Sequence, residues 1–251
     1  MTTPRGNIGY DGFLCFDGYE GFALWCEAEA QAMRAQAGMA EDEPADGFQM
    51  AHKLDFEVWE VETVPGGGGY RGGRHAGKKI FLQADARPER KHFTILREMA
   101  ERRIAARVPA NFLHTASSAV AGCLLMPGKT FRWDGAATGW DLGELKKRYP
   151  NASFEAIARR IPPFKACVVT ISDQGKVGSG GRFGSIAHPP ALAPLEEQAM
   201  KRLLKRRTAG GDEVELYEYR SENETLIVRA WGVFCAGRKR VIILTEAKEE
   251  A

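Results

Sequence analysis

Apolar residues recur at helical spacing in three long segments of the N-terminal half. The first runs from Tyr19 to Met39, the second from Pro88 to Ile104, and the third from Ala110 to Met126. Proline suits the first turn of a helix, so the second helix is expected to start near Pro88. The third segment is rich in small residues that allow close packing, and Pro127-Gly128 ends it. We therefore expect an amphipathic first helix and a buried third helix.

Alternating apolar and polar residues predict strands. Leu54 to Val64 shows this pattern, Lys78 to Gln83 supplies a second short strand, and the glycine-rich run from Gly66 to Gly73 between them is typical of a hairpin loop. After Pro162-Pro163 the segments ACVVTISD, VELYEYR, TLIVRAWGVFC and RVIILTE also read as strands, with a helix from Ala193 to Arg207. The fold class is therefore expected to be α+β, with a second α+β domain at the C-terminal end.

Composition indicates a folded protein whose net charge is too small to create a strong overall electrostatic field. The chain has 251 residues, of which 44% are hydrophobic and 27% charged, and 35 Lys and Arg against 33 Asp and Glu give a net charge of +2. Any basic surface must therefore be local. The five cysteines contain no C-x-x-C pair, which argues against a disulfide framework or a thiolate zinc site. With no signal-peptide pattern and no long apolar run, we expect a reduced, soluble, cytoplasmic protein with no membrane partner.

Two segments carry a resemblance to the ImmA/IrrE family of zinc metallopeptidases. ARPERKHFTILREMAERRI, residues 86–104, resembles the family's active helix, approximately R-R-F-T-x-A-H-E-x-x-H, and AVAGCLLMP, residues 119–127, resembles its second helix. The resemblance covers roughly residues 20–162. It implies a zincin-like domain over 1–135, a helix-turn-helix-like pair over 136–162 and a GAF-like sensor domain over 163–251. Family members bind zinc and cleave a helix-turn-helix repressor.

The zinc ligands of that family are not kept. In an H-E-x-x-H helix the two histidines bind zinc and the glutamate activates the bound water. Here the corresponding residues are Arg97, Glu98 and Glu101, so only the general-base position, Glu98, keeps its residue. The family's third ligand is a glutamate on the second helix, and its place falls near His114 or Ala116. The degenerate metal site therefore consists of Arg97, Glu101 and His114.

Arginine cannot bind a cation, because its guanidinium group stays protonated and has no free lone pair. We therefore expect no metal and no cofactor, and no zinc-dependent cleavage. The guanidinium group of Arg97 is expected to replace the metal as charge partner of Glu101 and of Glu98. For Glu98, an ion pair with Arg97 or Arg102 is the expected role.

The segment from Asp141 to Ile161 predicts two short helices, with Ser153 as the cap of the second. A two-helix unit of this kind can lie in a DNA groove, and Arg148, Arg159 and Arg160 would then contact phosphates. The alternative is a packed helical hairpin that braces the zincin-like domain.

Three functions follow as hypotheses. The first is a regulatory pseudoenzyme, acting in stress-response or mobile-element transcription, that binds a repressor without cleaving it. The second is an active metallopeptidase with an altered metal set. The third is a DNA-binding regulator that uses the helix pair together with the basic stretch from Lys201 to Arg207. The sequence names no ligand for the C-terminal domain.

Overall fold

The computed structural model describes residues 18–64, 73–206, 213–235 and 237–248. These residues form a mixed α+β protein, as expected, and divide into two compact units between Ile157 and Ala158. In the described residues, the elements up to the division are α1 (Gly18–Gln36), α2 (Gly47–Lys53), β1 (Glu57–Val61), β2 (Gly73–Ala76), β3 (Lys79–Gln83), α3 (Pro88–Ile104), α4 (Ala110–Leu125), α5 (Gly128–Ala137), α6 (Leu142–Arg148) and α7 (Phe154–Arg160), the last of which contains it.

The three seven-residue helices α2, α6 and α7 begin at side-chain caps. Asp46 accepts a hydrogen bond from the Gln49 amide at 3.0 Å and starts α2, and Asp141 starts α6 in the same way. The Ser153 hydroxyl accepts from the Ala156 amide at 3.1 Å, which confirms it as the cap of α7. The sequence analysis did not predict α2 or α5. Both contain glycine, which weakens a helical pattern.

The N-terminal unit contains a three-stranded sheet with the order β1-β3-β2. Strands β1 and β3 are parallel, with Glu57 opposite Lys79, whereas β2 and β3 are antiparallel and joined by a turn at Gly77, where φ is +62°. The predicted hairpin between the first and second strand segments is therefore wrong, because parallel neighbours need a crossover connection. Most of the predicted hairpin loop, residues 66–72, lies outside the described residues.

Helix α3 lies at the centre of this unit. It packs against α2, α4, β2 and β3, and every residue from Thr94 to Ala100 is buried. A helix buried on all sides normally carries apolar residues throughout, so the charged residues inside this stretch need partners. Lys146 of α6 bonds to Glu89 of α3 at 2.8 Å, which links the helical pair to α3.

The end of α4 is held by a buried arginine from α1. Arg34 is 1% exposed, and its Nη2 donates to the carbonyl oxygens of Cys123 and Leu124 at 2.5 and 2.9 Å, while its Nε donates to the carbonyl of Glu43 at 2.9 Å. The carbonyls of Cys123 and Leu124 lie in the last turn of α4, where carbonyl groups lack partners within the helix and carry partial negative charge. Burial lowers the pKa of Arg34 from its ordinary value.

The second unit contains a five-stranded antiparallel sheet with one helix across it. The order is β5-β4-β8-β7-β6, and the elements are β4 (Val168–Asp173), β5 (Lys176–Gly184), α8 (Pro194–Leu204), β6 (Glu215–Glu222), β7 (Leu226–Cys235) and β8 (Arg238–Ala247). Four of these strands and the helix agree with the sequence prediction. The core between α8 and the sheet is formed by Ala199, Met200, Leu203, Val228, Ala230, Phe234, Val241 and Ile243.

Strand β5 was not expected, because its sequence, KVGSGGRFG, reads as a turn region. Two of its glycines lie against the backbone of β4 and of Cys167, the residue that precedes β4. A Cβ atom on Gly181 would come within 2.8 Å of the Ile171 carbonyl oxygen, and one on Gly184 within 2.4 Å of the Cys167 carbonyl oxygen. At these two positions glycine therefore permits strand pairing that a side chain would obstruct.

Two general features complete the description. In the parts of the chain described, no helix combines the length and the apolar character that crossing a bilayer requires. The described cysteines, Cys26, Cys123, Cys167 and Cys235, are buried, and none of them is in a disulfide. Burial raises the pKa of the Cys167 thiol to about 12, so this thiol is not activated at neutral pH.

Candidate functional site

The candidate site lies on α3, at the residues that correspond to the zinc-binding motif. Arg97 is 8% exposed and Glu98 4% exposed, so two charged side chains lie next to each other inside the unit. Burial of a charge is costly unless it is paired. Both residues lie in the middle turns of α3, which starts at Pro88. They are buried because α2, α4, β2 and β3 pack against this helix.

Arg97 and Glu98 form an ion pair. The Nη2 atom of Arg97 donates to Oε1 of Glu98. This confirms the ion pair predicted for Glu98, whereas the predicted ion pair of Arg97 with Glu101 does not form among the described residues. The other candidate partner, Arg102, instead donates to the carbonyl of Gly77 and lies 5.9 Å from the ring of Phe56. The carboxylate at the general-base position is therefore bound to a guanidinium group on its own helix.

The hydrogen bonds of Arg97 are incomplete. Its Nε is buried and has no hydrogen-bond partner among the described residues. An unsatisfied buried donor costs free energy, of order 1–3 kcal/mol, so the arginine is retained at a cost that apolar residues would not carry.

The remaining positions of the degenerate motif have different surroundings. Glu101 is half-buried, His114 is exposed on α4, and Ala116 is fully buried. Of the two places considered for a third ligand, the exposed one carries an imidazole and the buried one only a methyl group. Within the described ranges, no three His, Cys, Asp or Glu side chains are arranged to hold a metal ion.

Zinc, the metal that the resemblance implies, does not fit these residues. A zinc site needs uncharged nitrogen, thiolate or carboxylate donors around the ion. Here the first ligand position presents the fixed positive charge of Arg97, and the adjacent carboxylate is already engaged by it. The nearest histidine on α3, His92, is also committed: its Nδ1 accepts from the Gly47 amide at 3.1 Å.

The arginines considered for DNA contact are held by neighbouring groups. Arg148 donates to Asp134 at 2.6 Å. Arg159 is exposed and stacks on Phe183 at 4.9 Å. Arg160 is 8% exposed and stacks on Phe164 at 4.9 Å, so it is poorly placed to reach a phosphate.

Neither a protein-family model nor a curated protein matches this chain. The resemblance to the ImmA/IrrE family is therefore one of residue pattern alone, in α3 and α4.

Sequence reasoning missed two buried charge clusters. In the N-terminal unit, Glu29 accepts from Arg107 at 2.6 and 2.8 Å and from Arg103 at 2.9 Å. Arg107 and Arg103 lower the pKa of Glu29, against the effect of burial. A glutamate on the buried side of α1 was the available signal. This cluster joins α1 to the end of α3 and the loop that follows it.

The second cluster lies in the C-terminal unit. Glu196 is fully buried and accepts from Arg182 at 2.8 Å, from the Thr245 hydroxyl at 2.5 Å and from the Ala193 amide at 2.7 Å. Arg182 also donates to the Thr170 hydroxyl at 2.5 Å. These bonds tie α8 to three strands of the sheet. Glu196 and Arg182 are 14 residues apart, in a helix and a strand, and no motif marks them as partners.

Proposed function

We propose that this protein is a regulatory pseudoenzyme of the ImmA/IrrE type, which binds a helix-turn-helix repressor or a similar protein without cleaving it. It would act in stress-response or mobile-element transcriptional control, in the cytoplasm. The observation that carries the proposal is the buried ion pair of Arg97 and Glu98 at the first two positions of the zinc motif.

The chemistry of that pair supports loss of cleavage. A peptidase of this kind depends on a metal that lowers the pKa of bound water from about 15.7 to about 7, and on a free carboxylate to accept its proton. With Glu98 bound to Arg97, neither condition is met by these residues. Loss of the chemistry does not require loss of the surface around α3 and α4, which retains partly exposed Glu101 and exposed His114.

The second unit supports a sensor role. Helix α8 packs on a five-stranded antiparallel sheet, an arrangement compatible with a GAF-like domain. A ligand-binding sensor joined to a partner-binding unit is the organisation that the resemblance implies. The helical pair then serves as a brace, in agreement with the contact of Lys146 with Glu89.

The test uses full-length protein treated with EDTA and a set of purified helix-turn-helix repressors. Calorimetry is expected to detect binding of one repressor, and mass spectrometry to find that repressor intact after incubation with zinc. E101A/H114A is expected to weaken binding at least tenfold. H52A, which removes another exposed histidine from the same unit, serves as the control.

Two results would overturn the proposal. One is repressor cleavage that requires zinc and disappears in E98Q, which would establish an active metallopeptidase. The other is one equivalent of tightly bound zinc or manganese in the purified protein, together with loss of that metal in E98Q or E101Q.

A further inference from the structure

The fold brings two basic runs of the C-terminal unit together. The end of α8 reads KRLLKR, and the start of β8 reads RKR. They meet because Nζ of Lys239 donates to the carbonyl oxygens of Leu204 and Arg206, at 3.0 and 2.9 Å. We name this surface the α8 basic patch; it consists of Lys201, Arg202, Lys205, Arg206, Arg238, Lys239 and Arg240.

Only part of this charge is neutralised. Lys201 pairs with Glu197 at 2.9 Å and Arg240 with Asp173 at 2.7 Å. Arg202, Lys205 and Arg206 are exposed and form no ion pair with a carboxylate among the described residues. A chain with a net charge of only +2 therefore concentrates unpaired cations on one surface.

Two of the arginines are positioned by aromatic rings. Arg202 lies over the Tyr219 ring at 5.3 Å, and Arg206 over the Tyr217 ring at 4.8 Å. Stacking fixes the plane of a guanidinium group and leaves its N–H edges available to bidentate acceptors such as phosphate. Because the side chains are already ordered, binding loses less conformational entropy.

We propose that the α8 basic patch binds the phosphate backbone of duplex nucleic acid without reading its base sequence. This binding does not depend on the function proposed for α3 and α4. A polyanion fits this surface better than a protein partner does. Protein interfaces are centred on apolar and aromatic contact area, whereas here the tyrosine rings are covered by guanidinium groups, so an approaching molecule meets positive charge. A duplex presents closely spaced phosphates for that charge to contact.

The expected salt dependence follows from the number of cations. If Arg202, Lys205, Arg206 and Arg238 each neutralise one phosphate, the slope of log K against log salt is about −3.6, and affinity falls about 150-fold between 50 and 200 mM salt. In R202A/R206A the slope is expected to shrink to about −2. In K205A, which removes one exposed cation without a ring contact, it is expected to shrink by about 0.9.

The experiment is fluorescence anisotropy of full-length protein with a labelled duplex of about 20 base pairs, measured in a potassium chloride series. The matched control is K53A/K147A, which removes the same formal charge from exposed helix ends in the N-terminal unit. The proposal predicts that this control keeps the wild-type slope. Circular dichroism establishes whether each variant is folded. If R202A/R206A does not fold, the salt slope of K205A is the test of the proposal.

Three outcomes would overturn the proposal. The first is no duplex binding at 50 mM salt by folded wild-type protein. The second is an equal loss of slope in K53A/K147A and R202A/R206A, or no loss in K205A, because either result places binding elsewhere. The third is binding of poly-L-glutamate without binding of duplex, which would identify an acidic protein as the partner.

Discussion

Replacing Arg97 by methionine tests whether the buried pair on α3 is coupled in the way its geometry indicates. Methionine keeps much of the apolar stem but removes the charge, and the carboxylate of Glu98 stays inside the unit at 4% exposure. Breaking a buried ion pair by removing one partner costs about 3–5 kcal/mol. Arg97 retains slight solvent contact, so we expect R97M to destabilise the protein by about 3 kcal/mol.

The coupling itself is measured by a double-mutant cycle. E98Q leaves the arginine without its anionic partner, whereas R97M/E98Q removes both charges. The double variant is therefore expected to lose less stability than the sum of the single variants, by about 2 kcal/mol. R102M, which alters an exposed arginine on the same helix, is the control and is expected to lose about 1 kcal/mol or less.

Urea unfolding followed by tryptophan fluorescence is the appropriate assay. Of the five tryptophans, only Trp231 lies in the C-terminal unit, so the signal reports mainly on the unit that contains α3. Circular dichroism on the same samples reports both units. If R97M unfolds within about 0.5 kcal/mol of wild type, or if the two substitutions are additive, the pair is not the coupled buried contact described here.

Three further predictions concern other parts of the molecule. E196Q is expected to destabilise the C-terminal unit by about 3 kcal/mol, because it leaves its arginine partner buried without a counter-charge, while E197Q at the exposed neighbouring position changes stability by less than about 0.5 kcal/mol in urea unfolding. The pKa of Glu29 is lowered by its two arginine partners. Its contribution to stability is therefore present above the ordinary pKa of glutamate and is lost as pH falls through the lowered pKa. In E29Q the free energy of unfolding is expected to fall less steeply at acidic pH than in the wild type, and an unchanged pH dependence would contradict this. G135A is expected to lower Tm, because a Cβ atom there would lie 2.3 Å from a buried indole ring, whereas G122A, which meets nothing within 4 Å, is expected to leave Tm unchanged or raise it.

Local patterns were sufficient for the elements whose signals are local. Helix α3 starts at Pro88, α4 ends before Pro127, and Ser153 caps α7, as the sequence predicts. The parallel pairing of β1 with β3 was not predictable in this way, because it depends on a crossover rather than on the loop that follows β1. Strand β5 was missed because its glycines serve close backbone contact, which an isolated sequence does not show.

For the candidate site, too, some features could be predicted from the local sequence and others could not. The charges at Arg97 and Glu98 are adjacent in sequence, so their ion pair follows from helix geometry and the cost of burial. The burial of Arg160 was not predictable, because the sequence of a seven-residue helix does not define which of its faces is covered. Lys239 was likewise not connected to α8, since the contact joins residues far apart along the chain.

The position of β8 in its sheet has a consequence for how the C-terminal unit is made. This strand, the last in the described chain, pairs with β4 on one side and with β7 on the other. Val168 at the start of the unit is opposite Thr245, so the central pairing closes a long loop and is slow to form. During synthesis, β4 emerges from the ribosome long before β8 exists, so its buried residues stay without their central partner strand until the last described strand is made.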